Sequence, residues 1–160
     1  MGYLNTEIRP MVDADIKMVM EIEKLCFPEP IYKEKDFMYE LHDNPVSNVW
    51  VIELSNDALN LKSVCGYCDY WNTFDSGTIC KIAVHPELQH YGLGSEMMKE
   101  ILDDCIAKKV ETLTLEVRVS NTSAINFYEK FGFKKSHIKK GYYVDGEDAI
   151  YMIKEVRKDG

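Results

Sequence analysis

Val117-Arg118-Val119-Ser120-Asn121, followed by Ala124-Ile125-Asn126-Phe127-Tyr128-Glu129-Lys130-Phe131-Gly132-Phe133, is the stretch on which the reading of this chain turns. Thr112 to Val119 alternates with the period of two that marks a half-buried strand. Ser120 and Asn121 then offer a polar cap, Ser123 to Phe131 has the spacing of a short amphipathic helix, and Gly132 stands where a left-handed residue ends it. An acidic residue near a strand end, Glu116, thus precedes a helical tyrosine, Tyr128, by twelve positions.

Working outward, Thr78 to Val84 is a strand stopped by Pro86, and Gln89-His90-Tyr91-Gly92-Leu93-Gly94 opens a helix. That helix carries Leu93, Met97, Ile101 and Cys105 on one stripe, with Met98, Leu102 and Ile106 beside it, so this face is expected to be buried. Toward the N-terminus, Glu7 to Pro10 reads as an edge strand, and Asp13 or Asp15 can cap a helix carrying Ile16, Val19, Met20 and Leu25. Phe27-Pro28-Glu29-Pro30 ends it, and a second helix is expected from Tyr32 to Leu41. Val49 to Leu54 and Val64 to Tyr70 form a hairpin across the link Ser55 to Ser63. Two strands, Phe133 to Ile138 and Ala149 to Val156, close the chain around a turn at Asp145-Gly146. The order β-α-α-β-β-β-α-β-α-β-β suits a mixed α/β sheet flanked by helices. With no repeat, low-complexity tract or linker, residues 1–160 are expected to form a single domain.

The net charge of −8, with lysines only in short pairs, argues against nucleic acid as a ligand. No run of about 18 apolar residues is present, so a soluble, cytoplasmic protein without membrane contact is expected. Five cysteines at strand or core positions suit a reducing compartment. Cys65-Gly66-Tyr67-Cys68 matches C-x-x-C, but positions i and i+3 of a strand point to opposite faces, so no redox or metal role is expected of it.

A helix start softened by Gly92 and Gly94 can cradle an anion with its unpaired N–H groups. Rossmann binding fits poorly, because Met97 replaces the third glycine, and a Walker A loop would need a following Gly-Lys-Ser/Thr. Taken together, these pieces resemble the cofactor half of the GNAT superfamily of acetyl-coenzyme A dependent N-acetyltransferases. Within it the chain is most similar to the RimI-type and archaeal/eukaryotic N-terminal (Nα) acetyltransferase branch. The resemblance implies one mixed, mostly antiparallel sheet with a splayed central strand pair holding acetyl-CoA. Ile82, Ala83 and Val84 would pair with the pantetheine arm; Gln89, His90, Tyr91, Gly92, Leu93, Gly94 and Ser95 would form the pyrophosphate loop; Asn121 and Tyr128 would lie near the thiol. His90 stands where the family commonly has a basic residue.

For the chemical step the resemblance implies Glu116 as base and Tyr128 as acid. An ordinary carboxylate is a weak base for an ammonium group, so a water between them or a raised pKa is needed. An ordinary phenol gives its proton to a thiolate only uphill, so a hydrogen bond to the sulfur is the more economical role for Tyr128. Phe27-Pro28-Glu29 resembles the acceptor loop of Nα-acetyltransferases, and Tyr142-Tyr143-Val144-Asp145-Gly146-Glu147-Asp148 resembles their C-terminal signature. Glu29, Tyr32, Tyr142 and Tyr143 would then contact a protein N-terminus, with a ribosome or auxiliary subunit open as a further partner and no metal required. Acetylation of a small-molecule amine or a lysine side chain, or acetyl-CoA binding without catalysis, are the alternatives. The bland readings of the two central residues are a surface ion pair with a lysine for Glu116 and a core filler for Tyr128.

Overall fold

The computed structural model describes residues 4–28, 32–59 and 61–156. Glu29 therefore lies outside the described residues, together with Pro30. The regular elements are β1 (Leu4–Pro10), α1 (Ile16–Cys26), α2 (Glu34–Met38), β2 (Ser47–Asn56), β3 (Leu61–Thr73), β4 (Ser76–Val84), α3 (Leu93–Ala107), β5 (Thr112–Arg118), α4 (Thr122–Lys130), β6 (Lys134–Lys139) and β7 (Ala149–Glu155). Their order is the one read from the sequence. The strands make a seven-stranded sheet, ordered β1-β2-β3-β4-β5-β7-β6. Only the β4–β5 pair is parallel, so the sheet is mixed and mostly antiparallel as expected.

Strand alternation decides which layer each side chain joins. Val49, Val51, Tyr67 and Ala83 point to the side covered by α1 and α2, where they meet Val19, Ile22 and Phe37. Ile52, Cys68, Tyr70 and Ile79 point the other way and pack with Met97, Met98 and Ile101 of α3 and Ile125 and Tyr128 of α4. Each fully buried side chain of this size contributes about 1.5–3 kcal/mol. The stripe on α3 is buried as its spacing predicts, except that Ile106 stands 56% exposed at the last turn.

The parallel pair is short. Register runs only from Ser76 opposite Thr112 to Thr78 opposite Thr114. Beyond it, Ile79 to Val84 follow β3, whereas Leu115 to Arg118 follow β7. The central strands therefore part, which is the splay the resemblance implied.

Several local expectations are corrected. Asp15 does not cap α1 through its side chain; a 3₁₀ turn over Asp13–Asp15 precedes the helix. Its carboxylate instead turns back and accepts from the Val12 N–H at 2.9 Å and from the Arg9 guanidinium at 2.8 Å, a charge-assisted pairing. The second helix begins at Glu34 and ends in a π-helical turn, Tyr39–Asp43. β2 and β3 run further into the hairpin than Leu54 and Val64, reaching Asn56 and starting at Leu61. Cys65 and Cys68 belong to one core cluster and do not face opposite ways, since a bulge at Cys65 adds a residue between Gly66 and Val64 and reverses the alternation there. All five cysteines are free thiols.

Candidate active site

A cavity of about 750 Å³ opens where β4 leaves β5. Its walls include the expected Ile82, Ala83, Val84, Gln89, His90, Gly92, Gly94, Ser95, Asn121 and Tyr128. Of the remaining two, Leu93 is 3% exposed and packs in the core, and the Tyr91 side chain is 71% exposed outside the cavity lining. The loop reaches this place because Gly92 adopts φ +77°, a left-handed conformation that a side chain would strain. The Gly92 carbonyl accepts from the Glu96 N–H, so the N–H groups of Leu93, Gly94 and Ser95 head α3 with no earlier carbonyl of that helix to meet. A methyl added at Gly94 would meet nothing nearer than the Phe127 ring at 3.6 Å, which leaves this turn open to a close ligand.

Several cavity residues are doubly employed. The Asn121 side chain accepts from the Ala124 N–H at 3.2 Å and so caps α4. Gln89 donates to the Val84 carbonyl at 3.1 Å, and the Cys26 thiol donates to the same oxygen at 3.2 Å. Burial, and then the charge of Glu23, push the Cys26 thiol up. Cys26, Phe27, Asn126 and Lys130 also line the cavity and were not anticipated. For the last two a signal existed: Ser123, Asn126 and Lys130 recur at helical spacing beside Tyr128 on α4.

Tyr128 is 9% exposed, with Phe127 and Phe133 edge-on at 5.4 and 5.7 Å. Burial first, and Tyr143 second, raise its phenol well above the ordinary value. Its hydroxyl has no hydrogen-bond partner among the described residues. Glu116 lies among the half-buried residues of β5 and accepts from Lys139 at 2.6 Å, so the lysine pairing of the bland reading is present.

A second cavity of about 330 Å³ is lined by Phe27, Pro28, Lys81, Arg118, Tyr142, Tyr143 and Val144. Phe27 borders both cavities. The two motifs that carried the sequence reading are bonded to each other here. Arg118 donates to Asp145 at 2.8 Å and to Glu147 at 2.9 Å, and lies 4.1 Å from the centre of the Tyr143 ring. Glu147 also accepts from the Ser120 N–H, and Asp148 from the Gly141 N–H. The acids of the C-terminal signature thus hold its loop in shape. Their pKa values are lowered: Asp145 by the Glu147 N–H and Arg118, Glu147 by Ser120 and Arg118, Asp148 by the Gly141 N–H. Burial pushes the Tyr143 phenol up to about 12. Tyr32, expected to contact the acceptor, is not part of this lining and packs against Phe37 and the Lys81 ammonium.

Among the described residues, no three histidine, cysteine or carboxylate side chains gather as a metal site requires. The profile of the acetyltransferase (GNAT) family matches residues 16–133. A Bacillus subtilis (strain 168) protein, provisionally named a ribosomal protein bS18-alanine N-acetyltransferase, is 38% identical over 91% of this chain and 92% of its own length. An N-alpha-acetyltransferase of Saccharolobus solfataricus is 34% identical over 88% of this chain and 87% of its own. The crystal structure of the ribosomal-protein-S18-alanine N-acetyltransferase from Escherichia coli superposes with a TM-score of 0.78 at 29% identity, covering 95% of this chain and 94% of that one. With the splayed sheet, the glycine-opened helix and these matches, the chain belongs to the acetyltransferase (GNAT) family.

Proposed function

We propose that this chain transfers the acetyl group of acetyl-coenzyme A to the α-amino group of a protein N-terminus, acting as one domain in the cytoplasm. The observation that carries this reading is the parting of β4 from β5, with the opened α3 start on one side and an acceptor-sized cavity on the other, meeting at Phe27. The bacterial relative, named for alanine N-acetyl transfer on a ribosomal protein, and the archaeal relative, named an N-alpha-acetyltransferase, support the acceptor class. On this reading acetyl-CoA supplies the acetyl group as an activated thioester. The edge of β4 that β5 leaves unpaired, from Ile82 toward Val84, offers backbone pairing to an extended arm, although the Val84 carbonyl already accepts from Gln89 and Cys26, and the N–H groups of Leu93, Gly94 and Ser95 suit a pyrophosphate.

Tyr128 keeps its proton, because burial disfavours phenolate, and its hydroxyl serves as a hydrogen-bond donor to the departing sulfur. Glu116, steadied by Lys139, receives the amine proton through water. Tyr142 and Tyr143 wall the acceptor, and Arg118 with its two acids fixes that wall.

The test pairs peptides with free N-termini against the same peptides with blocked N-termini and one internal lysine. At neutral pH the unprotonated fraction of an α-amine exceeds that of a lysine by roughly 250-fold. A site with a weak base inherits that preference, so mass spectrometry should find the free N-terminus acetylated at least about 100-fold faster in kcat/KM. Comparable rates, or turnover of spermidine with neither peptide modified, would move the chain to another acceptor class within the family.

A further inference from the structure

Strand β4 places Lys81 one residue before the cofactor edge, on the face turned to α1. Its ammonium donates to Glu23 at 2.8 Å. Glu23 is fully buried, and an ionised carboxylate in that position is tolerated only when its oxygens are bonded and its charge is matched. Three donors meet that need: the Tyr67 hydroxyl, the Tyr32 N–H at 2.8 Å, and Lys81. Lys81 is the sole cation among them.

The same ammonium lies 4.1 Å from the centre of the Phe27 ring and 4.6 Å from that of Tyr32. Cations are attracted to both ring faces. Phe27 and Tyr32 bracket the short segment that joins α1 to α2, and Phe27 borders both cavities. One charged group therefore engages both ends of that segment while its own backbone belongs to the strand that edges the first cavity. The other titratable groups near Lys81 are Asp69, its cross-strand neighbour on β3, which keeps its proton, and Arg118, which lines the same second cavity.

We propose that Lys81 is a positioning residue for the acceptor: by bonding Glu23 and lying against Phe27 and Tyr32, it fixes these two residues in register with the cofactor edge of β4. This rests on the reading of the second cavity as the acceptor site. Loss of the charge leaves Glu23 buried without a counter-ion, so the Tyr32 end of the segment loosens, and the Phe27 ring loses its anchor between the cavities. Acetyl-CoA binding, which the backbone of β4 and α3 supports, is affected little.

Two measurements test this on the full chain. In steady-state kinetics, Lys81→Met should raise the peptide KM about ten-fold or more while the acetyl-CoA KM stays within about two-fold, and Lys81→Arg, which keeps a charge able to stack on the rings, should recover most of the difference. In hydrogen exchange, the Tyr32 amide should exchange at least about ten-fold faster in Lys81→Met, with the β7 amides around Met152 unmoved as the control for folding. Unchanged exchange at Tyr32 overturns the clamp and leaves the acceptor reading intact. Faster exchange with an unchanged peptide KM overturns the positioning role. A wild-type chain that acetylates no peptide overturns the acceptor reading beneath the proposal, and the exchange result then stands on its own for the clamp.

Discussion

Tyr128 combines two demands that a phenylalanine would meet only by half. Its ring packs against Phe127 and Phe133, and the residue borders the large cavity. Tyr128→Phe keeps the ring and removes the donor, so acetyl-CoA affinity should stay within about two-fold while kcat falls about ten-fold or more. Isothermal binding beside single-turnover kinetics separates the two, and an unchanged chemical rate would remove Tyr128 from the mechanism. Tyr128 and Glu116 drew attention through the family resemblance of the stretch that carries them; their spacing alone fits a core filler and a surface ion pair equally well. Lys81 drew none. Its partners Glu23, Phe27 and Tyr32 lie about fifty residues away along the chain, and in a strand of mixed pattern a single lysine looks like any solvated side chain. Arg118 shows the same limit in milder form: it sat inside the most informative stretch, yet its bonds to Asp145 and Glu147 exist only once β5 and β7 pair.

At the scale of elements, the start of α3 and the edge of β4 do the positioning, and glycine marks where the start of α3 is vulnerable. Gly92 needs its left-handed φ, whereas Gly94 has an unexceptional backbone and room for a methyl beside Phe127. Gly94→Ala should therefore leave the melting temperature within a degree or two, on the order of the effect of a neutral surface change, and yet weaken acetyl-CoA binding about ten-fold, because the methyl occupies the approach to the N–H groups. Thermal unfolding and calorimetric titration read the two effects. Normal binding would show that no ligand comes close at that turn, and a large loss of stability would show that the glycine serves packing. The elements themselves were legible from periodicity, since α3 and β5 each bury the stripe that their spacing draws. Bulges were not. The extra residue at Cys65 depends on how β2 and β3 match across the sheet, and nothing local in Val64 to Tyr70 announces it. The π-helical turn at Tyr39–Asp43 likewise depends on tertiary bonds: it brings Glu40 to the Trp71 ring N–H at 2.6 Å and the Asn44 amide at 2.7 Å.

That turn bears on the stability of the whole molecule, because it sets Glu40 against Asp69 in the interior. Asp69 is 1% exposed, and neither of its oxygens meets a donor among the described residues. Two carboxylates cannot bond to each other, but a carboxyl that keeps its proton can donate to Glu40, whose charge is held by Asn44 and Trp71. Burial first, and then the facing Glu40, accordingly push the Asp69 carboxyl up to about 9. In the unfolded chain the same group releases its proton near pH 4, roughly its ordinary value. Between those limits the folded state holds a proton that the unfolded state does not, so stability contributed by the protonated pair is complete below about pH 4 and declines as pH rises toward 9. Asp15, whose carboxylate Arg9 holds below its usual range, acts in the opposite sense: its contribution is present above its ordinary value and is lost as pH falls through the lowered one. The Asp69 effect is therefore isolated on the alkaline side. Asp69→Asn puts a permanent N–H donor opposite Glu40 and removes the titration. We expect wild type to lose melting temperature from about pH 5.5 to about pH 8.5, and the variant to lose distinctly less over the same range, with the two closest at the acid end. Differential scanning calorimetry at both pH values measures this. Parallel temperature shifts in the two proteins would mean that Asp69 titrates alike in the folded and unfolded chains, and the buried pair would then carry no proton of its own.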